Sequence, residues 1–270
     1  MEKEKDFSVK IFYINPIETI GVIIDTLINM EYEVYTINEI DKNKLLKILS
    51  KKTRNIIFFT LLNKNEIGKW LEYIAKIKSL GSSNIQMGAF CYDTIDEEAA
   101  NKFLENGVPI IKFGDVASNT LQIIQQVLTT FEAKGKRAFI RAKTFGITEA
   151  YFYFKNRDEP IICKILDISA YAFSIEINPI YKLLFVLGSY LSDVLLVLQG
   201  VRIRTAVKVL GFSNENPNIY IVKFCSTKMQ NNKVVYVESI PKDIGLKVHV
   251  YIKKCLKNDI TKQLVEVEDD

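Results

Sequence analysis

The first half of the chain alternates between short β-rich runs and stretches with apolar residues at helical spacing, and this alternation constrains the fold more than any other feature. At its centre is Asn55–Leu62 (NIIFFTLL), an almost continuous apolar run. A strand with no polar face has to be covered on both sides, as in a parallel sheet layered by helices. Further strands are expected at Val9–Asn15, Glu33–Asn38, Asn84–Cys91 and Val108–Phe113. Helices are expected over Ile17–Met30, through NKLLKILSKK with Asp41 as N-cap, over Asn65–Ser79, over Asp96–Asn106 with Gly107 as C-cap, and over Ser118–Lys134. Parallel strands joined by crossover helices satisfy such a series most economically. Residues 1–134 are therefore expected to form a doubly wound α/β domain around a parallel sheet of about five strands.

After Lys134 the pattern changes. Thr148–Phe154, Pro160–Ile168, Phe173–Ile177, Val194–Leu198, Val201–Leu210 and Asn218–Phe224 read as strands, separated by turn-forming stretches such as Asn214–Pro217. Short strands at these intervals predict a small antiparallel barrel or sandwich over 135–270. Pro241 suits the first position of a terminal helix running to about Lys257. The apolar stretch Tyr181–Val201 carries Lys182 and Asp193, and a charge near a bilayer centre is costly, so barrel strands and no membrane insertion are expected there. The charged ends, MEKEKD and VEVEDD, are expected to be loose.

Composition removes several function classes. Hydrophobic content of 48% suffices for packed cores. His249 is the one histidine, and Cys91, Cys163, Cys225 and Cys255 are far apart, which argues against zinc sites and the familiar nucleophile triads. Dispersed cysteines and the lack of a secretory signal fit a cytoplasmic protein with reduced thiols. No glycine-rich phosphate loop follows a strand. The first 134 residues carry 16 Lys and Arg against 18 Asp and Glu, and the rest carry 20 against 14. Positive potential thus lies in the second half, where it suits an anionic ligand or partner.

Two short motifs lie in that half. Arg137-Ala138-Phe139-Ile140-Arg141 places two guanidinium forks four residues apart, and each fork matches phosphate and stacks on flat bases. Asp167-Ile168-Ser169-Ala170-Tyr171-Ala172 ends one strand and begins the next. On an extended segment Asp167 and Ser169 point to one face, where a carboxylate and a hydroxyl suit the edge of a guanine. The ordered pair RAFIR and DISAYA resembles the RxxxR and DxSxxG signature of PilZ domains, the bacterial receptors for cyclic di-GMP. The resemblance covers roughly residues 135–257 and implies a PilZ-like β-barrel with a terminal helix. It also implies a cyclic di-GMP site formed by Arg137, Arg141, Asp167, Ser169 and Ala172. The last stands where the family has glycine, and a methyl group there is expected to cost about 1 kcal/mol or to crowd the ligand.

The first half resembles a response-regulator receiver domain in its order of elements. The strand ends at Asn15-Pro16 and Thr60–Asn63 lack the carboxylates that hold magnesium and accept a phosphoryl group, although Lys112 occupies a receiver-like position. A degenerate receiver-like domain without phosphotransfer is expected. The chain is then a bacterial signal-transduction receptor or adaptor and not an enzyme, with no cofactor and no metal. Its ligand would be cyclic di-GMP, and its output a changed interdomain arrangement and an altered contact with a protein partner, with motility as the expected setting. Nucleic acid is not the expected partner. The alternative is an interaction adaptor of the same fold that has lost nucleotide binding.

Overall fold

The computed structural model describes residues 9–49, 54–81, 84–91, 95–113, 117–134, 138–231 and 233–266. The chain divides into two compact units. One comprises Met1–Ala138 together with Asp259–Asp270, and the other Phe139–Asn258.

The first unit alternates β1 (Lys10–Ile14), α1 (Glu18–Asn29), β2 (Val34–Ile37), α2 (Lys42–Leu49), β3 (Asn55–Leu61), α3 (Ile67–Ser79), β4 (Ile85–Cys91), α4 (Glu97–Glu105), β5 (Ile110–Lys112) and α5 (Ala117–Thr130). The sheet is parallel throughout, in the order β2-β1-β3-β4-β5. Every residue of β3 is buried, as its almost continuous apolar sequence requires of a central strand. Gly88 on β4 leaves room for its neighbour, since a Cβ there would come within 2.9 Å of the Phe58 ring. Asp96 caps α4 by accepting from the Ala99 amide at 2.8 Å, and Gly107 closes the helix at φ +68. This is the receiver-like α/β domain that the alternation predicts.

The second unit contains β6 (Ala142–Lys143), β7 (Thr148–Phe152), β8 (Ile161–Ile168), β9 (Ala172–Glu176), β10 (Tyr190–Leu198), β11 (Val201–Phe212), β12 (Ile219–Gln230) and β13 (Lys233–Val237). Six antiparallel strands close into a barrel, running β11-β10-β7-β8-β9-β12 with β12 returning to β11. Alternation along each strand fills the interior: Thr148, Ala150 and Phe152 on β7 and Ile161, Cys163 and Ile165 on β8 are buried, whereas Ile162 and Lys164 are exposed. The β10–β11 hairpin turns on Gln199 and Gly200, both at positive φ, as a two-residue connection matched to strand twist demands. The short β6 pairs with β8, and β13 extends the sheet from β12.

The terminal helix α6 (Lys242–Glu266) is longer than the sequence pattern predicts, and it includes Val265 and Glu266, which were expected to be loose. Its buried residues Ile244, Val248, Tyr251, Ile252, Cys255 and Leu256 recur at helical spacing. Within the barrel unit the Tyr251 hydroxyl donates to the Phe145 carbonyl at 3.3 Å. The last residues of α6, from Asp259, group with the α/β unit, so the division differs from a single boundary at 134/135. The stretch 181–201 is one strand preceded by a 3-10 turn (Pro179–Leu184) whose Leu183 is exposed; it does not form consecutive buried strands. No helix among the described residues is long and apolar enough to cross a membrane.

Candidate functional site

The site begins where the link meets the barrel. From Phe139 to Lys143 burial alternates, with Ile140 and Ala142 buried and Phe139, Arg141 and Lys143 exposed. Phe139 stacks on Tyr171 with ring centroids 5.3 Å apart, which fastens the link to the β8–β9 turn. Three residues on, Ala142 and Lys143 pair with Ile168 and Asp167. Arg137 lies outside the described residues.

A β-bulge shapes β8. The register with β9 shifts between Ile165 and Asp167, leaving Leu166 as the extra residue. The Leu166 carbonyl accepts from the Thr144 amide and from Thr144 Oγ1, both at 3.0 Å. Because of this insertion Ile165 and Ile168 both point into the barrel, and Asp167 is left on the opposite face. There it stands opposite Lys143 on one side and Ser174 on the other. Arg141 Nε lies 3.2 Å from Asp167 Oδ1. This is an ion-pair contact without the angle of a hydrogen bond, and Asp167 Oδ1 is buried with no hydrogen-bond partner among the described residues. The Ser174 hydroxyl is in the same condition.

Ser169 does not join them. Strand β8 ends at Ile168, and the Ser169 side chain folds into the turn. Its hydroxyl accepts from the Tyr171 and Ala172 amides at 3.3 and 3.0 Å and donates to the Ala172 carbonyl at 2.8 Å. All of its bonding capacity is used in holding the β8–β9 connection. The expectation that Asp167 and Ser169 share a face holds only for a strand that continues, and this one stops between them. Ala172 opens β9 opposite Lys223, is buried, and is absent from the non-glycine residues at positive φ. The alanine therefore carries no left-handed strain, so the conformational part of its expected cost does not arise.

Lys223, which the sequence patterns did not single out, completes the neighbourhood. Its ammonium lies 4.6 Å from the Tyr171 ring centroid and 2.8 Å from Glu238 Oε2. Glu238 also accepts from Lys208 at 2.5 Å and from the Tyr190 hydroxyl at 2.8 Å. These donors hold the Glu238 carboxyl well below its ordinary value of 4.5, at about 2. A carboxylate joined to two ammonium groups leaves a net positive charge beside the β8–β9 turn.

The receiver-like position in the first unit is different. At the ends of β3 and β4 a small cavity of about 20 Å³ is lined by Leu61, Leu62, Asn63, Lys64, Ile67, Cys91 and Ile95. Asn63 is engaged locally, accepting from the Asn65 amide and donating to Glu66. No group of His, Cys, Asp and Glu able to hold a metal occurs among the described residues.

No protein-family profile matches the chain, and no curated protein matches it. Among solved structures it is similar to Escherichia coli YcgR in complex with cyclic di-GMP, at 9% identity, TM-score 0.36, over 49% of this chain and 51% of that one. It is also similar to the K. pneumonia MrkH–cyclic di-GMP complex, at 16% identity, TM-score 0.31, over 47% and 53%. A third is the CheY-like protein TadZ from Pseudomonas aeruginosa PAO1, at 14% identity, TM-score 0.35, over 44% of this chain and 98% of that one. The chain spans about half the length of YcgR and MrkH. By its own strand orders and pairings, it joins a receiver-like parallel α/β domain to a PilZ-like closed barrel with a terminal helix.

Proposed function

We propose that the barrel binds cyclic di-GMP on the face carrying Arg141, Asp167 and Ser174, and that the chain is a receptor or adaptor without enzymatic activity. One observation carries the reading: Asp167 Oδ1 and Ser174 Oγ are register partners, both buried, and both lack a hydrogen-bond partner among the described residues. Leaving two such groups unpaired is costly, and a ligand edge rich in donors relieves it. Arg141, partly exposed beside them, offers a guanidinium to a phosphate or to the face of a base. Arg137 belongs to the proposed site through the RxxxR motif alone. Ala172 belongs to it as the residue at the motif's final position, and Ser169 as the residue that shapes the turn.

The finer part of the proposal is that ligand binding shifts the arrangement of the two units and thereby the binding of a protein partner. Such a shift requires the ligand to interact differently with the two arrangements. Small-angle scattering with and without cyclic di-GMP tests it, and superimposable profiles would remove it. The binding itself is tested by calorimetric titration with cyclic di-GMP, with GTP as control. One observation favours the second reading, an adaptor without nucleotide binding. Arg141 and Asp167 already form an ion pair with each other, so a ligand has to exchange that contact for its own.

A further inference from the structure

The motif's serine and the serine that faces Asp167 are different residues. Ser169 Oγ makes three hydrogen bonds inside the turn. Ser174, two residues beyond the motif, is 3% exposed, and its hydroxyl has no partner among the described residues. It stands directly opposite Asp167 across the β8–β9 ladder, on the face that the bulge at Leu166 turns away from the barrel interior. Directly opposed side chains on one face have Cβ atoms about 4.5–5.5 Å apart, close enough for both to meet one flat edge. Arg141 and Lys143 flank the same carboxylate, one by its 3.2 Å contact and the other by register.

We infer that Ser174, in place of Ser169, is the hydroxyl that reads the ligand, and that Asp167 Oδ1 with Ser174 Oγ forms a recess selective for guanine. The inference rests on the proposed cyclic di-GMP reading and names the specificity residue of that site. An ionised carboxylate only accepts, whereas a hydroxyl both donates and accepts. Guanine presents a ring N–H and an amino group side by side with a carbonyl oxygen. The carboxylate takes the N–H donors, and the hydroxyl donates to the carbonyl or accepts from the amino group. Adenine presents a ring nitrogen lone pair at the corresponding place, which the carboxylate repels. A site whose buried polar groups need specific donors rejects an analogue lacking them strongly.

The test titrates the wild type, Ser174→Ala and Ser169→Ala with cyclic di-GMP and cyclic di-AMP by calorimetry, and records the melting temperature of each protein without ligand. The wild type is expected to prefer cyclic di-GMP over cyclic di-AMP by roughly a hundredfold or more. Ser174→Ala is expected to weaken cyclic di-GMP binding by roughly tenfold, the scale of one hydrogen bond, and to melt at or above the wild-type temperature, since no hydrogen bond among the described residues is lost. Ser169→Ala is expected to melt lower, because its three hydrogen bonds hold the β8–β9 turn. If the wild type binds and Ser174→Ala binds equally well, the assignment of Ser174 fails and the receptor reading stands. A lower melting temperature for Ser174→Ala also overturns the assignment, because the hydroxyl then has a partner in the fold. No binding by the wild type overturns the receptor reading and this inference with it.

Discussion

The two units treat the polar groups at their candidate sites in opposite ways. At the strand ends of the receiver-like sheet, Asn63, Asn65 and Glu66 satisfy one another, and the cavity beside them is small and lined mainly by aliphatic side chains. On the barrel, a bulge exports Asp167 to a face where it meets Ser174 and Arg141, its Oδ1 without a hydrogen-bond partner among the described residues. Among the described residues the α/β unit has buried hydroxyls without a hydrogen-bond partner too, at Tyr13 and Thr120. Tyr13, however, lies among the rings of Phe58 and Phe90, and burial pushes its hydroxyl pKa far up, so it behaves as core. What separates the barrel site is the coincidence of unpaired polar atoms with a carboxylate and a guanidinium. Unsatisfied groups point to a ligand when charge is gathered around them.

The largest effect that sharpens this contrast is expected from Arg141→Ala. Removing a charged contact to phosphate or base should weaken cyclic di-GMP binding by roughly a hundredfold or abolish it, with circular dichroism confirming the folded barrel. Lys112→Ala, on the receiver-like sheet, should leave the affinity unchanged. Equal losses in both variants would erase the distinction between the units.

A second test addresses the α/β unit directly. Incubation with acetyl phosphate and magnesium should leave residues 1–134 without an acyl phosphate by mass spectrometry, because no aspartate ends β3. A stable adduct on an aspartate there would give the two units equal claims to a function.

A smaller effect is expected from pH. Glu238 has its pKa lowered from 4.5 to about 2 by hydrogen bonds from Lys208, Lys223 and Tyr190. The folded value lies below the unfolded one, so its contribution to stability is fully present above about pH 4.5 and is lost as the pH falls towards 2. Glu238→Gln should flatten the fall in barrel stability across that window, as followed by near-ultraviolet circular dichroism. An unchanged slope would show that the lysine cluster does not brace the barrel.

The smallest effect is expected at Ala172. Its backbone is not left-handed and it lies in β9, so Ala172→Gly should lower stability by about 0.5–1 kcal/mol through added chain entropy. The gain in affinity expected from restoring the family's glycine should appear only if the methyl group crowds the ligand. A rise in melting temperature would contradict the conformational account.

How far the sequence carried this picture depended on the range of the interactions involved. Almost continuous apolar runs such as that of β3, and caps such as Asp96 and Gly107, are local signals, so the order of the α/β elements was legible. The barrel's closure was less so. Closure needs β12 to bond both β9 and β11, a pairing between residues distant in the chain. Strand β13 was missed because its residues are mostly exposed and carry little alternation of burial. The site was half legible. RAFIR and DISAYA led to Arg141 and Asp167, which lie 3.2 Å apart, but motif spacing assumes a continuous strand. The bulge at Leu166 and the end of β8 at Ile168 reassign which side chains share a face. Ser174 gave no motif signal, although alternation from Ala172 along β9 places it beside the site.

The central claim is that the unpaired face of the barrel is a cyclic di-GMP site. The most direct measurement is calorimetric titration of the wild-type chain with cyclic di-GMP beside a GTP control. Saturable binding of cyclic di-GMP below roughly 100 μM, with GTP far weaker, is the predicted result. No binding at that concentration would contradict the account and leave the adaptor reading in its place.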